Sequence, residues 1–446
     1  MPRHGPGSNP DTPQAIQVRK LSAIILVLDR VGAGHLGPYG GESIPTPALN
    51  RLAAESFLFE HALVESTELS SLYQSAWQCC HPLCRANRAG VSLPSLSLPR
   101  AVGEQGYTSV FVTDDKQLAN HPLVDDFEQS VLFDRGSVSE PAESVERSAL
   151  ARFLDQTLEH IPTSEEPFVL WVHSQGMQGP WDAPLELRQQ FLDDEDPDAY
   201  QSTIPPDLRL EDGFDPDELL PLSAAYAAQV MMLDMCLDRW WKSLRHVTKL
   251  DEHLLMLLGS RGFPLGEHRD VGAAGDSRLY EESIHVPWLV RLPDGTGAAL
   301  RSQNLVQMAD ISATLLEWTG AAVEHEGFGA LSQLSAIRGE GTAAPKYRAV
   351  ATSASACVLR IPAWCYRNFQ DPTPSAAFSK PVDDEAFGHE LYAKPDDRWE
   401  FNDVAGRCPE VADLLSAELI EFQRLADQGQ LNRLDDLPDR LVVPAE

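Results

Sequence analysis

The stretch Leu21-Ser22-Ala23-Ile24-Ile25-Leu26-Val27-Leu28-Asp29 decides the fold. Its apolar residues run on without alternation and end in a carboxylate, the pattern of a strand buried on both faces of a parallel sheet. Ligands in such sheets gather beyond the carboxyl ends of the strands, which places Asp29 where chemistry is expected. Further strand signals at 108–113, 167–173 and 253–259 alternate with helical patterns around 46–56, 96–105, 141–161 and 222–245. Such alternation predicts crossover units and an α/β fold, a mostly parallel central sheet with helices on both faces. Thr46 and Pro47 suit the N-cap and first position of the earliest helix.

Length and composition narrow the function classes. A chain of 446 residues can bury a large core. Lys and Arg total 35 against 67 Asp and Glu, a formal charge of -32, so nucleic acid and anionic membrane surfaces are poor partners and a solvated acidic surface is expected. Residues 1–19 read as a disordered polar lead rich in Pro, Gly and charge. No apolar h-region precedes the first strand and no run of about 18 apolar residues stands out, so a cytoplasmic location without a membrane is the expectation. The seven cysteines are odd in number, and Cys79-Cys80-His81-Pro82-Leu83-Cys84 has no second ligand cluster to pair with for zinc; buried free thiols are expected.

An acidic, Pro-rich insertion spans about 185–220, including Asp193-Asp194-Glu195-Asp196-Pro197-Asp198. It lacks the spacing of a calcium loop and reads as a solvated loop over the sheet's edge. A composition shift near 340–346 opens the C-terminal part, where Tyr347 to Ser353 and Ala356 to Tyr366 read as paired strands and Glu410 to Gln428 as a closing amphipathic helix.

Several fragments, weak singly, fall in one shared order: His35-Leu36-Gly37-Pro38-Tyr39-Gly40, Thr46 to Glu55, Phe59-Glu60-His61-Ala62, Gly106 to Asp114, Pro167 to His173 with Gly179-Pro180-Trp181, Leu257 to Gly262 with Leu265-Gly266-Glu267-His268, Leu279 to Pro287, Gln307 to Leu316, and Glu390-Leu391-Tyr392. Together they resemble the sulfatases of the alkaline phosphatase superfamily. The resemblance implies one large α/β domain over 20–343 and a smaller C-terminal α+β subdomain over 344–446, of antiparallel strands plus the closing helix.

It also implies a site. Sulfatases hydrolyse sulfate esters with a Cys matured to formylglycine in a Cys-x-Pro-x-Arg motif at a helix start, beside a divalent cation that needs hard oxygen ligands. Anchored on Phe59 to Ala62 and on Pro82, the resemblance puts Leu69 at the nucleophile and Tyr73 at the motif Arg. Leu is no nucleophile, and Ser70, one residue on, is rotated by about 100° on a helix. Of the acidic metal ligands Asp29 survives, followed by Arg30, while Ser260 and Arg261 replace the later pair. Gln178 stands for a basic His, and Asp276 falls near an expected Lys. His173 and His268 read as architectural residues.

The leading expectation is therefore a sulfatase-like pseudoenzyme that holds no cofactor and acts by binding a small anionic ligand or a protein partner. Asp29 is a metal candidate only if a calcium-type site has been rebuilt. Arg30 and Arg261, with Gln178, either receive an external sulfate, phosphate or carboxylate, or pair internally with Asp29 and close the old pocket; the internal pair is favoured, since an unpaired buried charge is costly. The competing expectation is an active sulfuric or phosphoric ester hydrolase using Ser70 or Thr67, with His173 as the remaining candidate catalyst. Ligands from Asp114, Asp115 or the acidic insertion are a third possibility.

Overall fold

β1, Ala23–Leu28, is the axis of the molecule: its six residues are buried, as the opening stretch predicts. Ala23, Ile25 and Val27 enter one core and Ile24, Leu26 and Leu28 the other, so this strand is covered on both faces. A computed structural model describes residues 20–84, 97–163, 166–321, 326–340, 347–369 and 388–442. The predicted polar lead at 1–19 and most of the composition shift at 341–346 lie outside the described residues.

The remaining strands are β2 Phe57–Leu63, β3 Thr108–Thr113, β4 Gln129–Leu132, β5 Phe168–Ser174, β6 Leu208–Arg209, β7 Leu254–Gly259, β8 Asp270–Val271, β9 His285–Val286, β10 Trp288–Arg291, β11 Arg301–Val306, β12 Ala349–Thr352, β13 Ala356–Arg360, β14 Trp364–Phe369 and β15 His389–Ala393. The main sheet has nine strands in the order β11-β2-β10-β7-β1-β5-β3-β4, with β9 paired to β2. β1 is parallel to both β5 and β7, β5 to β3 and β3 to β4; β10 and β9 are antiparallel. The register sets Leu28 beside Ser174 and Gly259. Asp29, the end of β5 and Ser260 therefore meet at one edge, where a switch from strand to loop leaves room for a site.

The four-stranded antiparallel sheet β12-β13-β14-β15 follows. Ala349, Ala351 and Val358 face the first core, whereas Val350, Leu359 and Tyr366 pack with Leu415, Leu419 and Phe422 of the closing helix Pro409–Asp427. The segment Ala356 to Tyr366, read from sequence as one strand, is β13 and the start of β14. Pro362 lies at the tight turn between them, where Ile361 N donates to Trp364 O at 2.9 Å.

Three local expectations need correction. Thr46 occupies the N-cap of the helix Pro47–Ala54 but its hydroxyl accepts instead from Gly37 N. The free amides of Ala48 and Leu49 are met by the Asp234 carboxylate at 2.9 and 2.8 Å, a long-range cap that no local motif announces. The insertion at 185–220 is more than a solvated loop. Its acidic residues 193–195 are exposed, yet Arg188 is fully buried and donates to the carbonyls of Trp181, Ala183, Tyr200 and Ser202, which staples the loop down. Lastly, one stretch, Pro216–Val247, is apolar and long enough to cross a membrane by length and composition, with mean hydropathy 1.3. It contains the helix Leu220–Val247, and 61% of the window is buried: Tyr226, Val230, Leu233, Leu237 and Trp240 pack on the sheet, which accounts for the hydropathy.

Candidate functional site

Beyond the carboxyl ends of β1, β5 and β7 lies a cluster of charged side chains almost wholly withdrawn from water. Asp29 is 0% exposed, Ser260 0%, Arg30 1% and Arg261 9%. Burying a carboxylate here is tolerable only if both oxygens are met. Arg261 does this in a fork: its Nε donates to Asp29 Oδ1 at 2.9 Å and its Nη2 to Oδ2. Ser260 Oγ donates to Oδ1 at 2.7 Å and Arg30 N to the same oxygen at 3.1 Å. Burial raises the Asp29 pKa, but the Arg261 charge and hydrogen bonds outweigh it and hold the carboxyl well below the usual range. The same pairing pushes the Arg261 pKa up against its own desolvation.

Arg30 takes a different partner. Its Nη1 and Nη2 donate to the two oxygens of Asp276, each at 2.6 Å, and its Nε donates to Gln178 Oε1 at 2.9 Å. The expectation that both guanidiniums pair with Asp29 is thus half right: that of Arg261 does, whereas Arg30 reaches Asp29 only through its backbone amide. The reason is backbone geometry. Arg30 sits at φ 61, in the left-handed region, with its buried side chain directed to Asp276 and Gln178, and Tyr226 Oη donates to its carbonyl at 3.1 Å. Gly176 makes that corner feasible, since a Cβ there would lie 2.3 Å from Asp29 O. Asp276, at the place of an expected Lys, is 23% exposed and with exposed Gln178 forms the rim.

The remaining candidates surround this double pair. Thr67 Oγ1 donates to Asp276 O at 2.8 Å, and Thr67 O accepts from Arg261 Nη1 at 3.1 Å, so the hydroxyl is committed to holding the loop. Leu69, at the nucleophile's position, is 5% exposed and belongs to the apolar core. Ser70 is drawn the other way: its amide is bound by the Glu68 carboxylate at 3.2 Å, and its carbonyl faces His121 Nε2 at 3.2 Å. Tyr73, at the motif Arg, is buried among Trp77 and Trp171 with its hydroxyl 2.6 Å from His173 Nδ1. Burial pushes the phenol pKa up and, despite nearby acids, pulls His173 down, so the two share one hydrogen bond as neutral groups near pH 7. His173 Nε2 has no hydrogen-bond partner among the described residues.

His268 is held by Glu282 Oε1 at 2.7 Å and Glu400 O at 3.1 Å and stacks on Tyr280 at 3.5 Å, consistent with an architectural role. Asp114 pairs with Arg135 and accepts from Gln175 N; Asp115 caps a short helix through Leu118 N. Among the described residues neither makes a hydrogen bond or ion pair to Asp29, Arg30 or Arg261, although the Asp115 charge acts on Arg261 and His173. Arg135 was invisible to sequence reasoning, because nothing in its spacing ties it to Asp114.

The donor set does not fit the divalent cation implied by the resemblance. A hard cation wants six or more oxygens, but both oxygens of Asp29 are engaged by cationic or hydroxyl donors, and a guanidinium stands where a second carboxylate would be needed. Among the described residues no group of three or more His, Cys, Asp or Glu side chains is placed to hold a metal. The seven cysteines are free, and all but Cys408 are buried.

Comparison with known proteins agrees with this topology. A sequence model of the family described as Sulfatase matches residues 22–321. An N-acetylglucosamine-6-O-sulfatase of Bacteroides thetaiotaomicron is 28% identical over 126 residues, which cover 28% of this chain and only 22% of that relative. Among solved structures, the phosphonate monoester hydrolase of Agrobacterium radiobacter superposes with a TM-score of 0.70 at 15% identity, covering 91% of this chain and 96% of its own. That of Silicibacter pomeroyi gives 0.69 at 16%, with 94% and 98% covered. A 2-O GAG sulfatase gives 0.66 at 17%, with 92% and 93% covered. The family match spans well over half of the sequence, and on that ground the chain belongs to the sulfatase family.

Proposed function

We propose that this chain is a sulfatase-family protein that no longer hydrolyses esters by formylglycine- and metal-dependent chemistry, and that it works by binding a ligand or partner. The observation that carries the reading is the forked pair between Asp29 and Arg261, buried where the family's chemistry needs a cation. Leu69 in the core supports it, since the side chain expected at the nucleophile's position is apolar and buried. The sharper expectation, that Arg30 and Arg261 receive an external anion, is weakened because Asp276 and Asp29 already meet their charge. An entering anion would have to displace a carboxylate from each.

The test is turnover. Aryl sulfate, aryl phosphate and aryl phosphonate monoesters are offered with calcium, magnesium, manganese or zinc. The reading predicts no rate above background and no effect of Asp29→Asn. Turnover abolished by Asp29→Asn, Thr67→Ala or Ser70→Ala would overturn it in favour of an active sulfuric or phosphoric ester hydrolase with a rebuilt site, a reading that draws support from the likeness to phosphonate monoester hydrolases.

A further inference from the structure

Away from the Asp29 cluster, a cavity of about 250 Å³ opens beside β2 and β9 of the main sheet, at the turn after β15. Its lining shares no residue with the cluster around Asp29. In a chain of formal charge -32 its lining is locally cationic: Arg301, Arg360, Lys394 and Arg398 stand there with Glu60 and Glu281, and Lys394 is further paired, at 3.2 Å, with Glu400 outside the lining. The carboxylates are already spoken for. Glu281 is bound by Lys394 and lies 3.2 Å from His285 Nδ1, and Glu60 is 3.6 Å from Arg301.

Arg360, at the end of β13, is the anomaly. It is 6% exposed, makes no ion pair among the described residues, and its one hydrogen bond there runs to Trp364 O at 3.5 Å. A buried guanidinium left in that state is costly, and its planar fork of donors is shaped for an oxyanion. Two other lining groups share the lack. Arg398 makes no ion pair among the described residues, its guanidinium standing 5.2 Å over the Trp399 ring, and the half-buried His61 ring makes no hydrogen bond there. The donors come from separate segments, which suits a tetrahedral group with acceptors on every side better than a planar carboxylate. The volume falls below the ~300 Å³ at which sites for whole drug-sized molecules begin, so the cavity takes a small group.

We propose that this cavity is a binding site for a tetrahedral oxyanion, phosphate or sulfate, held by Arg360 with Arg398, Arg301 and His61 contributing from the walls. The inference stands apart from the reading of the Asp29 cluster, because the two use different residues. The test titrates the full chain calorimetrically with inorganic phosphate and with sulfate at constant ionic strength. One saturable site is expected. Arg360→Gln weakens it by about thirtyfold or more, and Arg398→Gln, which is partly exposed and leaves the core intact, by about two- to fivefold. Arg261→Ala leaves the affinity unchanged. Glycerol 2-phosphate competing at similar strength supports the site as a holder for the end of a larger ester, and failure to compete supports it as a holder of the free ion. No saturable heat with either ion overturns the proposal, as does binding lost in Arg261→Ala but kept in Arg360→Gln. Should Arg360→Gln fail to fold, unchanged affinity in both Arg398→Gln and Arg301→Gln overturns it.

Discussion

Replacing Arg261 by Ala exposes what the Asp29 pair does for this protein. Asp29 is 0% exposed, so the change leaves a carboxylate with Ser260 Oγ and the Arg30 amide but no adjacent fork to balance its charge. Breaking a buried pair from one side costs about 3–5 kcal/mol. With an unfolding entropy of about 2.1 cal/mol/K per residue, a cooperatively unfolding chain of 446 residues loses about 1 °C for each kcal/mol, so Tm falls by about 3–5 °C. Denaturant titration followed by circular dichroism resolves the free energy better than heating does. Acid dependence carries an independent signature. The folded pKa of Asp29 is depressed, so its contribution is present above the unfolded carboxylate pKa and is lost as pH falls through and below the usual carboxylate range. In Arg261→Ala burial prevails, the Asp29 pKa rises, and the deficit shrinks as pH drops toward 4. The double variant Asp29→Asn, Arg261→Ala recovers part of the loss, because it removes both charges. Unchanged stability of Arg261→Ala, or strictly additive losses in the double variant, would refute the reasoning.

Three further outcomes follow from the geometry. Arg30→Ala leaves Asp276, which reaches water at 23% exposure, so its cost is smaller, about 1–3 kcal/mol by the same titration; a loss exceeding that of Arg261→Ala contradicts the ranking. Gly176→Ala, at φ 50 with its Cβ 2.3 Å from Asp29 O, forces the corner apart and costs about 1–3 kcal/mol or more, whereas wild-type stability would show that the backbones do not approach so closely. His35 is held at a pKa of about 4 by burial and by the Arg398 charge. The unfolded chain therefore binds the proton first, and stability drains away as pH falls from about 6.5 to 4, by about 3 kcal/mol at most. His35→Gln flattens that part of the pH–stability curve, and an unaltered slope counts against a buried neutral ring.

The fold was legible because its signal is redundant. The unbroken apolar run at 23–28 needs two covered faces, and the ordered fragments from His35 to Tyr392 fix the topology around it. For the site, the resemblance offered a set of expected replacements, Leu69, Tyr73, Gln178 and Arg261, at the places where the family's chemistry uses other residues. What sequence withheld was partnership. The pairing of Arg30 with Asp276 spans 246 residues and depends on a left-handed backbone at Arg30 that no side-chain pattern reveals. The Asp234 cap on Ala48 and the Arg188 staple are likewise long-range or carbonyl-directed contacts. Arg360 gave no signal at all, for a lone Arg ending a strand reads as surface until the tertiary structure buries it.

The central claim is that Asp29 is the partner of an arginine and no longer the ligand of a cation. Elemental analysis of the purified, dialysed protein after exposure to calcium, magnesium, manganese and zinc tests it most directly. The account predicts no retained divalent ion in the native protein; about one ion per chain, lost on Asp29→Asn, would contradict it.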